Sequence, residues 1–269
     1  MAPHDQRGAD IRFDWGPNGL DALLAGGVRT VVVVDVLRFT TAVDVACGRG
    51  AAVTPWPLRD AGAAEEAARH GAILAEVAPA GGDVGTPSLS PVSLRNLQAS
   101  DHLLLPSPNG AAVACRAAAS GVTVLAACLR NATAVANAVT AFPLGVVAAG
   151  ALWPDGSLRP AVEDGWGAGA VIAALGPPAE PDPALALFAL FGEPETAPGH
   201  PATPPSRTLS PEASWAAAGV PSNLATLLRL TASGRELDEA GWSLDIEVAA
   251  AQDVSQTVPR LDQTGTFRG

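Results

Sequence analysis

Val31-Val32-Val33-Val34-Asp35-Val36-Leu37-Arg38-Phe39-Thr40-Thr41-Ala42 is the stretch that decides how this chain folds. Four valines in a row leave no polar alternate, so both faces of the strand face a core, as in a strand inside a parallel sheet. Asp35 closes the strand, and Arg38 follows three residues later. A carboxylate at the end of an apolar strand is costly unless a cation, a metal or solvent meets it. In open α/β sheets the edge beyond the carboxyl ends of the strands is where ligands bind. Two readings therefore stand side by side: an Asp35–Arg38 ion pair that caps the strand, and the centre of a site.

Outward from this strand, apolar runs alternate with helical patterns. Strands are expected at Val31–Val34, Ala51–Pro55, Ala72–Val77, His102–Leu105, Val122–Ala127 and Leu144–Ala149. Helices are expected at Thr41–Arg49, Pro57–His70, Ala111–Ala119, Ala132–Thr140 and Trp166–Leu175. This predicts a three-layer α/β fold, its sheet largely parallel or mixed and helices on both faces. Residues 1–175 read as the core carrying the site. Residues 176–211 read as a proline-rich insertion with a helix-like Ala184–Phe191 and an exposed loop over 193–211. Residues 212–269 read as a helical segment completing the same domain.

All 16 cationic residues are arginines, and the net charge is −11. Without lysine there is no Schiff-base or P-loop chemistry. Without a basic stripe to neutralise phosphates, no nucleic-acid partner is expected. Cys47, Cys115 and Cys128 are widely spaced with no CxxC, which suits reduced thiols and offers no zinc site. No apolar run reaches the roughly 18 residues of a membrane span, and the polar first ten residues do not read as a signal peptide. A cytoplasmic protein without a membrane partner is expected.

Polar residues recur where strands give way to helices. Asp35 follows the first strand, Asn109-Gly110 precede a helix, Asn131 stands at another N-cap position, and Glu163-Asp164 precede the helix with Gly167 and Gly169. If the strands run parallel, these groups share one sheet edge, where helix N-termini favour an oxyanion. Asp35, Glu76, Glu163 and Asp164 offer only oxygen ligands, which suits Mg²⁺ rather than zinc. Adjacent Glu163 and Asp164 cannot both point the same way on a regular helix, which leaves room for one as a ligand and the other as a cap. Ordinary helix capping is the simple alternative for each asparagine.

The ordered set of motifs resembles the 2-phosphosulfolactate phosphatases. It comprises Phe13-Asp14-Trp15-Gly16, Val33 through Thr41, Leu74-Ala75-Glu76, Gly82-Asp83-Val84-Gly85 and Pro108-Asn109-Gly110. It continues through Leu129 to Ala136, Glu163 to Ala170, Ser233-Gly234-Arg235-Glu236-Leu237, Gly241, Asp245 and Val258-Pro259. The resemblance implies a Mg²⁺-dependent phosphatase, a homodimer, acting on 2-phospho-3-sulfolactate on the route to coenzyme M. The chain departs from the family pattern in three places. Pro106-Ser107-Pro108 stands where three threonines are usual, Thr86-Pro87-Ser88 replaces Asn-Ser-Pro, and Trp166 or Gly167 replaces a cysteine. The expected substrate is thus a small anionic phosphorylated acid.

In this reading Arg38 clamps phosphate or sulfonate oxygens in a fork. Asn109, Gly110 and Asn131 fix the anion, and Arg235 is a further anion contact. Asp35 either holds the metal or attacks phosphorus. A non-catalytic phospho-metabolite binding protein on the same scaffold is the alternative, and an isomerase or aldolase a third reading.

Overall fold

The computed structural model describes residues 3–58, 60–76, 85–176 and 207–269. Its framework is a nine-stranded mixed sheet with helices on both faces, the three-layer α/β arrangement read from the sequence. One parallel block comprises, in spatial order, β1 (Ile11–Trp15), β7 (Leu144–Ala148), β2 (Thr30–Val34) and β6 (Thr123–Ala127). A second comprises β3 (Ala52–Trp56), β5 (His102–Pro106) and β4 (Ile73–Leu74). Between them lies a C-terminal hairpin of β10 (Arg260–Leu261) and β11 (Phe267–Arg268). Its pairings with β6, within itself and with β3 are all antiparallel, so the two blocks run in opposite sense along the ladder. A small separate hairpin, β8 (Ala151–Leu152) and β9 (Leu158–Arg159), follows β7.

The four valines of β2 divide as a doubly buried strand must. Val31 and Val33 pack with α1 (Gly16–Ala25), α2 (Phe39–Gly48) and α4 (Gly110–Ala118). Val32 and Val34 pack with α5 (Ala132–Ala138) and α6 (Val162–Ala174) on the other face. All four are fully buried, each contributing about 1.5–3 kcal/mol from the area removed from water. Helix α3 (Ala61–His70) covers Leu104 at the far end of the sheet.

Several boundaries differ from expectation for identifiable reasons. The helix expected from Pro57 begins at Ala61, because the Asp60 carboxylate accepts the Ala63 N–H at 3.1 Å and fixes the first turn. The strand expected over 72–77 pairs only at Ile73 and Leu74, and Val77 lies outside the described residues. Helix α6 starts at Val162, not Trp166, which places Glu163 and Asp164 in its first turn rather than ahead of it. Carboxylates are favourable there against the positive end of the helix.

Strand β1 and helix α1 precede the expected alternation, and Arg12 interrupts the apolar pattern of the strand. That guanidinium is buried and donates to the carbonyls of Ala9, Asp5 and Gly26 at 2.8, 3.2 and 2.9 Å. The C-terminal segment carries α7 (Pro211–Ala218), α8 (Leu224–Leu230), α9 (Ala232–Glu239) and α10 (Ser243–Ala250), and also the hairpin at the sheet centre. The helix-like 184–191 and the Gly82-Asp83-Val84 motif lie outside the described residues. The described end of the expected loop is tied down: the Asp10 N–H donates to the Thr208 carbonyl at 2.9 Å, and Ser210 caps α7. Among the described residues no helix is long and apolar enough to cross a membrane.

Candidate active site

The turn after β2 is closed by its own side chains. The Thr40 hydroxyl donates to the Asp35 carbonyl at 2.8 Å and accepts the Asp35 N–H at 2.9 Å. Thr41 donates its hydroxyl to the Val36 carbonyl at 2.7 Å. The Leu37–Arg38 peptide within this turn is cis. The two threonines thus serve the backbone, which explains why both are buried at the start of a helix.

Asp35 joins two helices. Its Oδ1 accepts the N–H of Phe39, the first residue of α2, at 3.1 Å. Its Oδ2 accepts the N–H of Gly110, the first residue of α4, at 2.9 Å. A Cβ on Gly110 would lie 2.7 Å from Asp35 Oδ2 and 2.5 Å from the Phe39 ring, so only glycine permits this approach. The expectation of a single parallel edge is corrected here, because the β5 block runs opposite to the β2 block. Helix α4 still delivers its N-terminus to Asp35, because it packs over β2 and β6 as well as β3.

Asp164 does for two loops what Asp35 does for two helices. It accepts the Val36 N–H at 2.7 Å and the Gly150 N–H at 2.9 Å, binding the exits of β2 and β7 to the first turn of α6. Neighbouring Glu163 is equally buried, but its carboxylate accepts no hydrogen bond among the described residues. Among the described residues no unpaired side-chain oxygen is sealed away, so the Glu163 carboxylate opens to solvent through what little surface it has. Within the pair, the Asp164 carboxylate is committed to backbone N–H groups of two loops and the Glu163 carboxylate is not.

The three carboxylates feel one another. Burial, opposed by the two N–H donors and reinforced by Glu163, pushes Asp35 up to about 6. Asp164 is raised well above the ordinary range by burial, then by Asp35 and Glu163. Arg38 relieves Asp35 only weakly. The reason is geometric: its Nη1 donates to Asp245 Oδ2 at 2.7 Å, and its guanidinium carbon lies 5.5 Å from the centre of the Trp242 ring. The Asp35–Arg38 capping pair is therefore not what forms; the arginine belongs to a buried aspartate on α10.

The remaining expected residues fall into two groups. Asn109 precedes α4 beside Gly110, half-buried, with its side-chain amide unpaired among the described residues. Gly110 donates its N–H to Asp35 and so serves the framework. Asn131 is fully buried and spent on the backbone: its Oδ1 accepts from Cys128 N at 2.8 Å, and its Nδ2 donates to the Ala126 and Thr257 carbonyls at 3.4 and 3.1 Å. Glu76 is exposed just past β4, its backbone bridging toward Ser88. Arg235 is exposed on α9. Among the described residues no three His, Cys, Asp or Glu side chains converge to enclose a metal ion by themselves.

A hydrated hard cation asks for less than an enclosing cage. Mg²⁺ keeps several waters and is commonly held by one or two carboxylates plus substrate phosphate. The oxygen-only donors Asp35 and Glu163, with excess buried negative charge and an uncommitted carboxylate, fit that demand. Thiol chemistry does not fit, because burial pushes Cys47 and Cys128 up to about 12 and Cys115 up to about 11.

Asp245 is the residue that reading elements one at a time does not find, since it stands 207 positions from its partner Arg38. Its place among the family-like motifs is the one signal the sequence carried. No curated protein sequence matches the chain. The family model for 2-phosphosulpholactate phosphatase matches residues 22–264, nearly the whole chain and every residue of the carboxylate centre. The chain therefore belongs to the 2-phosphosulpholactate phosphatase family and is a phosphoric monoester hydrolase.

Proposed function

We propose that this protein is a Mg²⁺-dependent phosphatase that hydrolyses the phosphate ester of a small 2-phospho acid, 2-phospho-3-sulfolactate or a close analogue. The observation that carries the reading is the buried carboxylate centre of Asp35, Glu163 and Asp164, whose nearest arginine is already neutralised by Asp245. Buried charges of one sign without compensation are expensive, and a bound cation removes that cost.

Asp35 and Glu163 are the proposed ligands, and Asp164 holds the two loops that present them. When bound, Mg²⁺ supplies charge neutralisation on the phosphoryl oxygens and a lowered pKa for a coordinated water. Arg38 meets the substrate's anionic oxygens with the edge turned away from Asp245. Asn109 donates its free amide to the same anion. A homodimer is part of this proposal, supported by the family resemblance.

Phosphate release from a panel of 2-phospho acids, assayed with Mg²⁺ and with EDTA, tests the reading. Turnover abolished by EDTA and restored by Mg²⁺ is expected. Tight binding without turnover would replace the enzyme by a phospho-metabolite binding protein, and substrate conversion without free phosphate by an isomerase or aldolase.

A further inference from the structure

Asp245 has no exposed surface and sits in the first turn of α10. Both of its oxygens are occupied within the protein. Oδ2 accepts Arg38 Nη1 at 2.7 Å, while Oδ1 accepts the Ser90 hydroxyl at 2.6 Å and the Val92 N–H at 3.5 Å. With no exposed surface and its charge met by the Arg38 guanidinium, it is unsuited to ligate a metal or transfer a proton. What it does is hold one corner of a guanidinium.

The other corner is free. Arg38 Nε and Nη2 make no hydrogen bond among the described residues, and neither is sealed from solvent. The guanidinium lies 5.5 Å from the Trp242 ring centre, which restrains its plane as the aspartate restrains its corner. Arg38 also stands in the turn that carries Asp35, close enough to influence its charge. A planar fork with two unspent N–H groups, fixed in orientation, is preorganised for an oxyanion.

We infer that Asp245, with Trp242 and Ser90, is a positioning residue that aims the Arg38 fork at the anionic group of the substrate. The contact joins three distant parts of the chain: the turn after β2, the segment around Ser90, and the α10 helix. This deepens the proposed function and rests on it for the identity of the anion.

A double-mutant cycle over Arg38→Ala, Asp245→Asn and the pair, with kcat and KM measured on 2-phospho-3-sulfolactate and 2-phospholactate, tests it. Asp245→Asn is expected to raise KM about 10- to 100-fold, the scale of a misplaced binding group, with kcat changed less than about threefold. In the Arg38→Ala background the same change is expected to add less than about twofold, because the group it positions is gone. An equal loss in both backgrounds, or a fall in kcat with KM unchanged, would overturn the inference. If Asp245→Asn fails to fold, Ser90→Ala removes one donor from Oδ1 without leaving a charge, and an unchanged KM in that variant overturns it instead.

If the wild type releases no phosphate from any substrate, the proposed function fails on its own. Calorimetric binding of inorganic phosphate to the same four proteins then reads the coupling, and additive losses there refute the positioning role.

Discussion

At the scale of single residues, the chemistry turns on which carboxylate is free. Asp35 and Asp164 each accept two backbone N–H groups, whereas Glu163 accepts none among the described residues. Replacing Asp35 by Asn removes a buried charge but turns an amide NH₂ toward either the Phe39 or the Gly110 N–H. The lost acceptor costs about 1–3 kcal/mol, offset by the relief of desolvation, so the fold should survive. Phosphate release should nonetheless fall by about 100-fold or more; near-wild-type turnover of a folded Asp35→Asn variant would remove Asp35 from the mechanism. Glu163→Gln separates binding from folding. Mg²⁺ at roughly a hundredfold excess over its Kd should stabilise the wild type by about 2.7 kcal/mol in a thermal melt, and Glu163→Gln should lose that increment. Asp35 was legible from the sequence as a residue to explain, because a charge ending four valines is costly, but an Asp35–Arg38 cap explained it as well as a site did until the fold gave Arg38 to Asp245. Asn131 and Asn109 were indistinguishable there, since both precede helices; only the fold shows that Asn131 is spent on backbone groups and Asn109 is not.

At the scale of elements, the site depends on how closely helices approach. Gly110→Ala would drive a Cβ to 2.5 Å from the Phe39 ring and 2.8 Å from Asp35 Cβ. Overpacking of this kind costs about 1–3 kcal/mol, and because it pushes α4 off the Asp35 carboxylate, activity should fall further than stability. Denaturant melts beside phosphate-release assays check both. A second junction gives a pH prediction. His102, opening β5, is within 2.8 Å of the Thr54 hydroxyl of β3, which is 3.0 Å from Thr266 beside β11. Burial, then the neighbouring His70 ring, lowers the His102 pKa below the ordinary histidine value of about 6.5. The unfolded chain therefore binds the proton more readily, so stability is full above about pH 6.5 and declines as pH falls below it. Asp35 and Asp164, raised by burial, act in the opposite sense over the same window, so the His102 contribution is read as a difference: the stability of the wild type relative to His102→Gln should fall from about pH 7.5 to about 5.5, and a constant difference would assign the pH dependence to other groups. Long apolar strands and capped helices were readable because period and caps are local. The two-residue strands β4, β10 and β11 were not, having no period to read, and β1 was hidden by an arginine whose partners are carbonyls from three separate residues.

At the scale of the molecule, two parallel blocks of opposite sense need a joint, and the last ten residues provide it. Arg260 pairs with Leu125 of β6, and Phe267 pairs with Val53 of β3, so the hairpin closes the sheet only once the whole chain is in place. Phe267 is fully buried, its ring centre 6.4 Å from that of Phe39. Phe39 is in turn the residue whose N–H holds Asp35 Oδ1. The C-terminal hairpin, far from Asp35 in sequence, thus supports that carboxylate through one aromatic contact. Phe267→Ala should cost about 3–5 kcal/mol in denaturant unfolding. Its effect on catalysis should appear as lower kcat/KM even under conditions where the variant is fully folded, because the cavity lets Phe39 and the start of α2 relax away from Asp35. A variant that loses stability but keeps wild-type kcat/KM when folded would show that the joint holds the sheet alone. The same logic predicts one cooperative transition for the wild type, since neither block can close its sheet without the hairpin they share; two resolved transitions would show the blocks folding independently.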